Sequence, residues 1–134
     1  FVVVNKEIKN NISDIMIKHA KAHPNDEHLS TVIPTATFMK EGNTLILILK
    51  HIDNDYLIND TLSIGACIEN MSLRSTDLGL GSLWIRDIIH VEKEVLELIK
   101  HPELELSSAL LIGYPNQSPK PRPRKDIDII IEWY

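Results

Sequence analysis

The sequence predicts an α+β fold built as a three-layer sandwich, with helices on both faces of a sheet. Three observations carry that expectation. The 134 residues are 43% apolar and 25% charged, the balance of a chain that packs one hydrophobic core as a single domain over residues 1–134. The patterning runs strand, helix, strand, helix, helix, strand, strand, which mixes both element types without the alternation of a parallel α/β fold. The run Leu45-Ile46-Leu47-Ile48-Leu49 is continuous and of strand length, as suits a strand covered on both faces at the centre of a sheet.

Taken in order, Phe1-Val2-Val3-Val4 reads as the middle of a buried strand with no initiator Met and no cap before it; the natural protein is therefore expected to begin upstream. Residues 5–22 then place Ile8, Ile12, Ile15, Met16 and Ala20 at three- and four-residue spacings, one stripe of an amphipathic helix. Pro24-Asn25-Asp26 ends it, and the polar residues 23–31 read as a mobile surface loop in which Asp26, Glu27 and His28 are solvated. After the central strand, Asn59 or Asp60 is placed to cap a helix that runs to about Asp77. Its Leu62, Ile64, Ala66, Cys67, Ile68, Met71 and Leu73 spread over more than one face, so it must be covered on several sides. Small residues at Ser63, Gly65, Ala66 and Ser72 let another backbone come close, which makes it the expected central or dimer-forming helix. Gly79-Leu80-Gly81 stops it, residues 82–85 are extended, and residues 91–100 form a further helix with Val91, Val95, Leu96, Leu98 and Ile99 inward. His101-Pro102 ends that helix, residues 106–112 read as a strand closed by Gly113-Tyr114-Pro115, and Ile127-Ile129-Ile131-Trp133 alternates as a last strand.

Composition excludes several classes. A net charge of -5 argues against general binding to nucleic acid or to a membrane surface, because phosphate recognition needs an excess of Lys and Arg. No apolar run approaches the roughly 20 residues that cross a bilayer. Cys67 is the only cysteine and the six histidines form no spaced ligand set, so neither an intrachain disulfide nor a metal site is expected, and a reducing, cytoplasmic setting fits. No carboxylate pair suggests acid–base hydrolysis.

Two constellations could carry chemistry. In Asp77-Leu78-Gly79-Leu80-Gly81-Ser82-Leu83-Trp84 two glycines follow a buried helix; glycine admits positive φ and close backbone approach to a flat ligand, whose acceptors, like a flavin ring nitrogen, could meet exposed N–H groups. A plain glycine cap on the helix is the commoner meaning of such a pattern. In Pro119-Lys120-Pro121-Arg122-Pro123-Arg124-Lys125 four cations are spaced by prolines, which stiffen the segment and leave little entropy to lose when the cations grip a phosphate. The alternatives are a solvated connection between strands, or an anion or nucleic-acid binder whose affinity would fall steeply with salt.

In their order and spacing these pieces resemble the nitroreductase family. Residues 64–71 and 77–85 are similar to its central helix and flavin-facing loop; Leu111-Ile112-Gly113-Tyr114-Pro115, residues 120–125 and Glu132-Trp133 are similar to its closing strand, phosphate-binding stretch and tail. The resemblance implies a three-layer α/β/α sandwich with a mixed, mainly antiparallel sheet, and a homodimer with two FMN sites built from both subunits. It implies Gly79, Leu80, Gly81 and Ser82 beside the isoalloxazine, and Arg122 and Arg124, with Lys120 as the alternative, at the FMN phosphate. It further implies ping-pong transfer of hydride from NAD(P)H through the flavin to a nitroaromatic, quinone or enone. The family's usual opening helix, its Arg-rich phosphate motif and an Asn-containing segment have no counterpart before Phe1. The competing expectation is therefore a cofactor-free dimeric binding or structural module on the same scaffold.

Overall fold

The computed structural model describes residues 1–52 and 55–134. β1 (Val2–Val4) leads into α1 (Lys6–Ala22), whose first turn is capped by the Asn5 carboxamide accepting from the Ile8 N–H. α2 (Val32–Glu41) turns directly into β2 (Thr44–His51), and α3 (Leu57–Asp77) is followed by β3 (Gly81–Ile85). A 3₁₀ turn at Asp87–Val91, α4 (Glu92–Leu98), β4 (Leu104–Gly113) and a single helical turn, α5 (Ile127–Ile130), complete the chain.

The four strands lie in the order β1-β2-β4-β3, each pair antiparallel. No parallel pair occurs among the described residues, so the mixed sheet expected from the resemblance is wholly antiparallel here. One row across the sheet is Val4, Leu45, Leu111, Leu83; the next is Val3, Ile46, Leu110, Trp84. Because side chains alternate along each strand, the two rows face opposite layers. The first faces α1, α2 and α4, where Ile12, Met16, Val32, Met39, Leu45 and Leu47 are buried in one cluster. The second faces α3 alone, with Ile68 closing over Ile48 and Leu110.

Several expectations need correction. The alternation at Ile127, Ile129, Ile131 and Trp133 does not form a strand: Asp126 accepts from the Asp128 N–H and starts the turn of α5, and extended backbone returns only at Ile131. α3 begins at Leu57, ahead of the expected cap, so Asp60 lies in its first turn, where its charge suits the positive end of the helix. β1 is an edge strand with Phe1 and Val3 exposed, so it is not buried on both faces. α2 has no counterpart in the sequence reading, because Pro34 and the β-branched residues around it weaken the helical pattern. α3 is covered on one side only, leaving Ile58, Leu62 and Leu73 exposed.

Candidate functional site

The end of α3 fixes the glycine loop. Gly79 has φ +73°, and its N–H donates to the Thr76 carbonyl at 2.9 Å while the Leu80 N–H donates to that of Ser75 at 2.8 Å. These are the paired bonds of a helix terminated by a left-handed residue. The amides of Gly79 and Leu80 are thus committed to the helix end, and any backbone approach to a ligand falls to Gly81 and Ser82. Gly81 opens β3 opposite Gly113. Its φ is not positive, and a Cβ placed on it would meet Pro115 and Gly113 at no less than 3.6 Å, ordinary contact. Among the described residues nothing requires glycine at position 81.

Gly81 and Ser82 line a cavity of about 460 Å³. Phe38 from the last turn of α2 and Asn43 from the α2–β2 turn form one wall; Tyr114 and Pro119, on the chain leaving β4, form another. The volume lies within the range usual for small-molecule sites. A larger cavity of about 630 Å³ lies between Ala20 and Ile33, away from both constellations singled out in the sequence.

The basic segment starts at the rim of the smaller cavity. Lys120, Arg122, Arg124 and Lys125 are exposed, and among the described residues none of them forms an ion pair. The structure therefore brings Gly81 and Ser82 to one cavity with Pro119, whereas Gly79, Leu80, Lys120, Arg122 and Arg124 do not line it. Phe38 and Asn43, which also line the cavity, are not marked in the sequence, because the helical pattern of α2 is weak. The only signal for them was the Glu41-Gly42-Asn43 turn before the apolar run.

Behind the site, Trp84 sits on the face of β3 opposite Leu83. Its indole N–H donates to the Ser108 hydroxyl at 2.5 Å, and that hydroxyl donates to the Ile85 carbonyl at 3.0 Å. Cys67 is partly buried on α3. Among the described residues no group of His, Cys, Asp and Glu could hold a metal ion, and no helix is long and apolar enough to cross a membrane.

The model of the nitroreductase family matches residues 1–114, and the chain belongs to that family of oxidoreductases. A search of the curated proteins found no match. Among solved structures the chain is similar to a BluB-like flavoprotein from Clostridium difficile 630, with 20% identity and a TM-score of 0.70 over 99% of this chain and 78% of that one. It is similar to an FMN-dependent nitroreductase from Clostridium difficile R20291, with 25% identity and a TM-score of 0.67 over 99% of this chain and 72% of that one. The NADPH:FMN oxidoreductase from Vibrio harveyi, complexed with NAD+, shares 16% identity at a TM-score of 0.72, over 98% of this chain and 56% of that one. These TM-scores show a fold shared with this chain.

Proposed function

We propose that the protein is an FMN-dependent oxidoreductase that passes a hydride from NAD(P)H, by way of the flavin, to a small organic acceptor such as a nitroaromatic or quinone in a ping-pong cycle. One observation carries the reading: of the two cavities described, one is lined by Gly81 and Ser82 together with Pro119, the residue before Lys120. The residues fit the group. Gly81 keeps the wall of the cavity free of a side chain although its own conformation does not demand glycine, and the exposed cations that follow Pro119, without ion pairs among the described residues, offer charge-assisted bonds to a phosphate. Flavin, when bound, supplies the hydride chemistry, so the protein's part is to bind, orient and exclude water. Gly81 and Ser82 would border the ring, with Gly79 and Leu80 holding that loop to α3. Arg122 and Arg124, or Lys120 in place of one of them, would hold the phosphate.

A homodimer belongs to the same proposal. The exposed apolar residues of α3 and of the arm after β4 offer it a surface, and the lone Cys67 suits a reducing cytoplasm. The second reading, a cofactor-free dimeric module, rests on those same exposed faces.

A yellow protein with flavin absorbance favours the enzyme directly. The sharper test titrates apo-protein with FMN and with riboflavin, for wild type, Arg122→Ala and Arg124→Ala. Loss of a charge-assisted contact is worth about 1.5 to 3 kcal/mol, so a true phosphate ligand should weaken FMN roughly ten- to a hundredfold and riboflavin far less. Equal losses would mean a folding defect, and no loss would make the segment a solvated connection.

A further inference from the structure

We infer that Asn43 is a positioning residue: it fixes the point at which the chain leaves β4, and so sets where the basic segment meets the phosphate of the cofactor. The inference rests on the reading of residues 119–125 as the phosphate-binding segment.

Asn43 lies in the short turn between α2 and β2, and both of its ends are used. Its N–H donates to the Ile112 carbonyl at 3.1 Å, and its side-chain oxygen accepts from the Tyr114 N–H at 3.3 Å. Gly113, between those two partners, is pressed against it: a Cβ on Gly113 would lie 3.0 Å from the Asn43 Oδ1 and 3.3 Å from its nitrogen. A side chain at position 113 would make the carboxamide give way by a few tenths of an ångström, so glycine lets it reach past without displacement.

The turn that carries Asn43 is itself anchored. Gly42 abuts the side chain of Leu111, which a Cβ at position 42 would approach to 2.5 Å, and Leu111 is buried in the main core. The Gly42 carbonyl accepts from the Lys9 ammonium, which also donates to the Lys40 carbonyl at 3.1 Å. A close-packed interior does not yield at such a place, so Asn43 is a rigid post on the cavity wall.

What the post holds is otherwise loose. β4 loses its ladder partners after Gly113. Among the described residues, the bond from Tyr114 to Asn43 is the last hydrogen bond between the chain of residues 114–125 and the body of the protein. From Tyr114 the chain can extend at most roughly 20 Å by Lys120. A free pivot at its origin would spread the cations over a wide volume, whereas a fixed one lowers the entropy lost when they close on a phosphate.

The test uses Asn43→Ala, which removes the acceptor, and Asn43→Asp, which keeps it. Amide hydrogen exchange at Tyr114 is followed alongside FMN and riboflavin titrations. For Asn43→Ala, faster exchange at Tyr114 is expected, with FMN weakened about three- to tenfold, the scale of one hydrogen bond, and riboflavin changed less than about twofold. Asn43→Asp should retain the Tyr114 protection. If wild type prefers FMN over riboflavin but Asn43→Ala keeps both that preference and the slow exchange, or loses both flavins equally, Asn43 has no positioning role. A wild type that does not distinguish FMN from riboflavin overturns the phosphate reading itself and this inference with it.

Discussion

Lys9 lies on the inward side of α1 at 2% exposure, and among the described residues no carboxylate pairs with it. Its ammonium is met by two carbonyls at the end of α2, those of Lys40 and Gly42, which a helix otherwise leaves without partners. Burial, and secondarily the nearby charge of Lys6, holds Lys9 below the usual lysine range. The unfolded chain thus binds this proton more tightly than the folded one. Carrying the charge costs stability at neutral pH, and that cost is relieved as pH rises from the folded pKa toward the unfolded value. Lys9→Met removes the charge but orphans both carbonyls, so a net loss of about 1 to 3 kcal/mol is expected at pH 7. The gap between wild type and variant should widen from pH 7 to pH 10 in urea unfolding, because only wild type gains from deprotonation. A gap that stays constant with pH would show that Lys9 titrates alike in both states.

The helix α3 shows how much one element can reveal and conceal. Its inward residues Ile64, Ile68 and Met71 meet the sheet, while Ile58, Leu62, Ala66, Glu69 and Leu73 form a second stripe at spacings of four and three on the exposed side. The spacing of the apolar residues shows that they occupy more than one face, but not which face the chain itself covers. The cores differ widely in extent: among the described residues, the cluster under α1, α2 and α4 holds 18 buried residues and the one under α3 holds three. Under the proposed homodimer, a second copy of the chain would make good that shortfall. In a monomer, Leu62→Lys changes an exposed position and should shift stability by no more than about 0.5 kcal/mol. In a dimer it buries an unpaired charge, and the dissociation constant should rise at least about tenfold. Sedimentation equilibrium of both proteins at micromolar concentrations decides it, and identical molecular masses for the two would remove α3 from the interface.

At the scale of the whole molecule, the elements with strong periodic or continuous apolar patterns were legible, namely α1, β2, α3 and β4. Those that depend on tertiary context were not. α2 carries Pro34 in its first turn and gives a weak pattern, and the alternating isoleucines of α5 curl into a turn because no neighbouring strand pairs with them. The site was half legible for the same reason: the glycines and cations are marked by residue type, whereas Phe38 and Asn43 acquire meaning only when α2 brings them to the cavity. The arm itself is the clearest case of a segment whose role lies outside the fold. Of residues 119–134 none is buried and only Ile131 is even partly covered, so the body of the chain owes it almost no packing energy. Deleting residues 119–134 should therefore leave the far-UV circular dichroism of the sheet and its helices nearly intact. Because Gly81 and Ser82 remain, riboflavin affinity should change little, while the preference for FMN should vanish with the cations. If the truncated protein still prefers FMN, the phosphate is held by other residues; if it loses riboflavin as well, the arm covers the ring and not only its phosphate.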